Sequence, residues 1–97
     1  MGQVIWTEQA YQDLHTIYNY VAESSKSYAK LLTDKLFARS QMLAVFPEMG
    51  RAVPEYGDKQ VRELIEGNYR IIYEILSEDM VLVQTVWHSS RRLPDGT

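Results

Sequence analysis

The stretch Tyr69-Arg70-Ile71-Ile72-Tyr73-Glu74-Ile75-Leu76-Ser77-Glu78-Asp79-Met80-Val81-Leu82-Val83-Gln84-Thr85-Val86-Trp87-His88 decides the architecture. Two runs rich in β-branched and aromatic residues flank a short polar segment, the pattern of an antiparallel β-hairpin. Its register follows from which pairing sorts the side chains best, because a slip of one residue exchanges the two faces. With Ser77-Glu78-Asp79 as the loop, Leu76 faces Met80. One side then collects Tyr69, Ile71, Tyr73, Ile75, Val81, Val83, Thr85 and Trp87, apolar enough to lie on helices. The other collects Arg70, Ile72, Glu74, Leu76, Met80, Leu82, Gln84, Val86 and His88. This register sets Arg70 opposite Val86 with His88 one diagonal step away, within reach of long side chains. The alternative register mixes polar and apolar residues on both sides.

Working upstream, Val61 to Ile65 reads as a third strand joined through Gly67-Asn68, so the C-terminal half is a three-stranded meander. Pro47 to Gln60, with Pro47, Gly50, Pro54 and Gly57 and no period, is a long loop and a candidate functional one. Before it, Ala10, Leu14, Ile17 and Val21 recur at helical spacing, with Tyr18 widening the stripe and Asp13 and His15 off it. Gln3 to Trp6 reads as a short first strand, and Thr7 as the N-cap of that helix with Glu8 in its first turn. Ser24 to Ser27 breaks the pattern. A second helix carries Ala29, Leu32, Leu36 and Leu43 and ends near Phe46, before Pro47. The expected fold is α+β: a short N-terminal strand and an antiparallel helix hairpin packed on a small antiparallel sheet, one domain over residues 1–97.

Length and composition agree with this, since 97 residues with 45% apolar content support one modest core. No cysteine and only two histidines are present, so neither disulfides nor a zinc site are expected, and no cofactor. No leader-like start and no run of roughly 20 apolar residues suggests membrane insertion, and the cytoplasm is the expected location. The net charge is −3 and the pI about 5.3, which argues against a dedicated nucleic-acid binder and against sequence-specific DNA binding by this chain alone. Any basic site must be local, and His88 with Arg91 and Arg92 is the densest candidate.

Taken together, Trp6, Asp13-Leu14, Phe46-Pro47, Gly50-Arg51, Arg62-Glu63-Leu64, Tyr69-Arg70-Ile71-Ile72-Tyr73 and Val86-Trp87-His88 stand in an order and spacing that resembles the RelE/ParE superfamily of toxins, of plasmid-stabilisation type. The run His88-Ser89-Ser90-Arg91-Arg92-Leu93-Pro94 is closer to its ParE-like branch. The resemblance implies a toxin neutralised by a small cognate antitoxin, and it carries two mechanisms. ParE-like members poison DNA gyrase by binding, for which Arg70, His88, Arg91 and Arg92 are the candidate target surface. RelE-like members are ribosome-dependent ribonucleases acting on mRNA. Cutting RNA through its 2′-hydroxyl needs a base, a cation and an acid. Arg70 would clamp phosphate, His88 act as acid, Glu55 or Glu63 as base, and Arg62 add positive charge. The bland alternative pairs Arg70 with Glu74 and has His88 capping the sheet edge. No aromatic follows Trp87 for stacking on a base, and the acidic balance opposes the ribosome's phosphate field, so the gyrase reading is preferred. A third reading is a member that keeps antitoxin binding without toxicity. Tyr11, Tyr20 and Tyr28 are the candidate antitoxin contacts, along the helices and a sheet edge. Arg51 is expected against the carbonyls ending the second helix.

Overall fold

The computed structural model describes residues 2–91, so Arg92 and the tail beyond it lie outside the described residues. The chain runs β1 (Gln3–Trp6), α1 (Glu8–Ala22), α2 (Lys26–Gln41), a 3-10 turn (Met42–Ala44), β2 (Arg51–Ala52), β3 (Val61–Glu66), β4 (Tyr69–Ser77) and β5 (Met80–His88). Both helices start on the capping chemistry their sequences announce. The Thr7 hydroxyl accepts from the Ala10 N–H at 3.0 Å and the Ser25 hydroxyl from the Tyr28 N–H at 3.1 Å. The second helix becomes 3-10 earlier than its apolar stripe suggests, after Gln41. Ala10, Leu36 and Leu43 then meet Trp6, Leu64, Ile71, Tyr73, Val81, Val83 and Val86 in the main core between helices and sheet.

The sheet order is β1-β5-β4-β3-β2. It is mixed, because β1 pairs parallel with β5 while β2 to β5 are antiparallel. The expected loop from Pro47 to Gln60 contains the two-residue edge strand β2, which sets Arg51 opposite Glu63. Tyr73 fixes the entry to that loop: its hydroxyl donates to the Pro47 carbonyl at 2.7 Å and accepts from the Gly50 N–H at 2.9 Å. A Cβ at position 50 would lie 2.5 Å from both that hydroxyl and the Glu63 carbonyl oxygen, so only glycine fits.

The β4–β5 register differs from the expected one beyond Val83 and also at the turn itself, where Ser77, not Leu76, faces Met80. Near the turn Tyr73, Glu74 and Ile75 face Val83, Leu82 and Val81, as the sorting argument requires. Between Thr85 and Val83, however, Gln84 is an extra residue, and beyond it the partners are Ile72↔Thr85, Ile71↔Val86, Arg70↔Trp87 and Tyr69↔His88. A bulge resets the alternation. Val86 therefore enters the main core, Trp87 crosses to the opposite face, and His88 joins Tyr69 on the helix side, ring centroids 5.2 Å apart. The expectation that Thr85 and Trp87 pack inward and that Arg70 shares a face with His88 is thus overturned. Trp87 instead packs with Tyr56 against Val53, Val61 and Ile72, a second small core beneath the loop on the outer face of the sheet.

The bulge is held from α1. Beyond Trp6 the edge of β5 away from β4 has no strand partner among the described residues, and helix side chains serve its backbone in place of one. The Thr7 hydroxyl donates to the Gln84 carbonyl at 2.8 Å, and Asp13 accepts from the Val86 N–H at 3.1 Å and from the Thr85 hydroxyl. Asp13, off the apolar stripe of its helix, is therefore a structural residue, its carboxylate spent on orienting β5.

Candidate functional site

On the outer face of the sheet, Arg70 of β4 is the centre of a charged cluster. Its Nε donates to Glu63 of β3, and its Nη1 and Nη2 donate to the two carboxylate oxygens of Glu55, at 2.9 Å each. Glu63 is 1% exposed and also accepts from the Arg51 Nε at 2.6 Å. Two arginines and two carboxylates thus neutralise one another, which is the condition for keeping Glu63 and Arg70 buried at all. The Arg70 fork, acting through its hydrogen bonds, holds the Glu55 carboxyl down at about 2, and the same contacts push the Arg70 guanidinium up.

The sequence candidates divide between the two faces. Arg70, Glu55 and Glu63 come together, joined by Arg51. That arginine pairs with Glu63 and not, as expected, with the end of the second helix. Its place depends on an edge strand only two residues long, which no periodicity reveals. Glu74 is not Arg70's partner either. It accepts from the Gln84 amide at 3.0 Å. Arg62, next to Glu63 on β3, points the other way, where its Nη1 donates to the Gly50 carbonyl at 2.9 Å and braces the loop. His88 lies on the helix side, and its Nδ1 accepts from the Ser90 N–H at 3.1 Å, which places the proton of the neutral ring on Nε2. That bond closes the turn that follows β5.

His88 does line a cleft of about 400 Å³ between α1 and the end of β5, with Ile17, Tyr20, Tyr69, Trp87 and Arg91. The tyrosines proposed for antitoxin contact fall on two patches. Tyr20, 74% exposed, lines this cleft with Tyr69, and Tyr28, 55% exposed, stands near Tyr69. Burial, and after it these two neighbours, push the Tyr69 phenol up. Tyr11 belongs to a different patch, its ring tilted against Trp6 with the centroids 5.5 Å apart, and Phe37 lies at the same distance from Trp6. Among the described residues no three His, Asp or Glu side chains are placed to hold a metal ion, and no helix is long and apolar enough to cross a membrane.

Residues 4–93 match the family model of the ParE toxin of the type II toxin-antitoxin system, parDE. The chain belongs to this family. It is a toxin of a type II toxin-antitoxin system, in the ParE/RelE superfamily. Toxin RelE2 of Caulobacter vibrioides is 29% identical over 91 residues, covering 94% of this chain and 99% of that protein. Two solved structures share the toxin's fold. A chain of the chromosomal ParDE system from P. aeruginosa superposes with a TM-score of 0.74 at 20% identity, covering 91% of this toxin and 96% of that chain. A chain of the toxin-antitoxin complex RelBE2 from Mycobacterium tuberculosis superposes with a TM-score of 0.60 at 21% identity, covering 90% and 96%.

Proposed function

We propose that this toxin acts by binding a protein target, DNA gyrase, and carries out no chemistry of its own. The observation that carries the reading is the state of Arg70. All three of its nitrogens are engaged by carboxylates, Glu55 is held at about 2 and so is a poor proton acceptor near neutrality, and the histidine needed as an acid lies on the other face of the sheet. Among the described residues His88 stands apart from the Arg70, Glu55 and Glu63 cluster, which speaks against a ribonuclease site built from these four, while the outer face with Arg51, Arg70 and Trp87 and the nearby Arg91 suit recognition. The net charge of −3 supports the same reading, since an acidic protein is not steered toward a phosphate-rich ribosome. The test is a supercoiling assay with purified gyrase: dose-dependent inhibition is expected. No inhibition at any toxin concentration, together with codon-phased cuts in translated mRNA by primer extension, would replace this reading with the ribonuclease one.

Neutralisation by a cognate antitoxin is the second part of the proposal. The exposed Tyr20, Tyr28 and Leu31 on the helix hairpin, and the Tyr11–Trp6–Phe37 patch, suit an amphipathic segment laid along the helices. The solved relatives in the ParDE and RelBE2 systems support it by analogy of fold. Co-expression with the product of the adjacent small gene should give a complex on gel filtration. Two separately eluting proteins would count against it.

A further inference from the structure

Arg70 is held by two carboxylates of different standing. Glu63 is fixed on β3 with its side chain wholly buried, and Arg51 secures its other oxygen. Glu55 sits on the irregular segment between β2 and β3, its side chain 28% exposed, and takes the outward fork of the guanidinium. Its position is also under the attraction of Arg51, whose side chain is 65% exposed. Of the four charges, Glu55 is the one that can leave without dismantling a strand pair. When it leaves, the remaining three sum to +1, and a planar two-donor fork opens to solvent beside a second arginine.

We propose that the Glu55 carboxylate is a tethered stand-in for an external carboxylate, and that Arg70 and Arg51 form a binding site for an acidic side chain of the protein target, closed by Glu55 until that side chain displaces it. The ligand class follows from the geometry and the charge. Two coplanar oxygens at 2.9 Å from Nη1 and Nη2 are how a carboxylate meets guanidinium. A single carboxylate brings little like charge to a protein of net charge −3, whereas a phosphate polymer is repelled along its length. Trp87, paired opposite Arg70 on the same face and half-buried, gives the incoming chain an apolar shoulder. The assignment rests on the reading of the outer face as the target surface, but the chemistry of the site is testable without any target.

The probes are acetate and inorganic phosphate, titrated into the full-length wild type, Glu55→Ala and Glu55→Gln, with the Arg70 side-chain N–H signals followed by NMR. Acetate should shift those signals saturably in both variants, in the millimolar range, and leave the wild type unmoved. The double variant Glu55→Ala with Arg51→Ala should bind acetate more weakly. In the supercoiling assay Glu55→Gln should be several-fold more potent than wild type, up to the roughly fivefold that about 1 kcal/mol of lost competition corresponds to. A folded variant whose Arg70 signals ignore acetate overturns the proposal, and so does one that binds phosphate alone. If gyrase is untouched by wild type and variants while acetate still binds the variants, the target assignment fails and the gated site stands.

Discussion

Replacing Arg70 by alanine should destabilise the fold far more than replacing its outer partner, and the difference measures how the cluster is built. In Arg70→Ala the Glu63 carboxylate, 1% exposed in the wild type, keeps only the Arg51 Nε at 2.6 Å, on a side chain that is mostly in water. Stranding one partner of a buried pair costs about 3–5 kcal/mol, and the surviving Arg51 contact places the loss near the lower end, about 3 kcal/mol. In a domain of this size each kcal/mol lowers Tm by about 4–8 °C, so a fall of roughly 12–24 °C is expected. Glu55→Ala removes a partner that is partly solvated and should cost under about 1 kcal/mol. Replacing both buried members by apolar residues, Glu63→Leu with Arg70→Met, leaves no stranded charge and should recover most of the loss. Urea unfolding followed by circular dichroism gives all four values on one scale. An Arg70→Ala variant within 1 kcal/mol of wild type, or no more affected than Glu55→Ala, would refute the buried pair.

Further outcomes follow from the same contacts. Because the Glu55 carboxyl is held at about 2, below its ordinary 4.5, its contribution to stability is present above pH 4.5 and lost as the pH falls toward 2. Glu55→Gln should therefore flatten part of the acid-side decline in that window, seen as converging Tm values at pH 2 and diverging ones at pH 5. Tyr73→Phe leaves the Pro47 carbonyl and the Gly50 N–H without their partner and should cost about 1–3 kcal/mol, and Gly50→Ala, which must displace the Glu63 backbone, should cost more. Asp13→Ala should cost about 1–3 kcal/mol and speed exchange of the Val86 amide, the proton it accepts. If that amide exchanges as slowly as before, Asp13 does not hold the bulge.

The elements themselves were legible because local chemistry and tertiary need agree in them. Thr7 and Ser25 cap, the stripes of Ala10, Leu14 and Ile17 and of Ala29 and Leu36 face the core, and the meander ends where its turn residues stand. Of the candidate site, Arg70, Glu55 and Glu63 were nameable as charged residues, but not as one cluster. Glu55 reaches Arg70 only because Val53 and Tyr56 pin an irregular loop onto Ile72 and Trp87. What stayed hidden in the β4–β5 hairpin beyond Val83 has a single physical origin. Alternation is a period-two signal with no memory of an inserted residue. Nothing local to Gln84 marks it as extra, since the partners that hold it there come from Thr7 and Asp13, more than seventy positions away.

That origin can be tested by removing the inserted residue. Deleting Gln84 joins the two halves of the hairpin into one regular ladder, because Tyr73↔Val83 would be followed directly by Ile72↔Thr85. The faces beyond the deletion are already those of that ladder, so Val86 should remain in the main core and Trp87 on the second one. The expense is confined to the Gln84 amide's bond to Glu74, the Thr7 bond to the Gln84 carbonyl and the adjustment of Asp13, about 1–3 kcal/mol together. Deleting Val83, which is fully buried, instead puts glutamine at a core position and should prevent folding. Trp87 fluorescence, read in a Trp6→Phe background, separates the outcomes. An unchanged emission maximum in the Gln84 deletion supports a bulge that can be excised. A shift to the fully buried spectrum would mean that the outer half had turned over, and that side chains from α1, not the count of residues in β5, set which way Trp87 points.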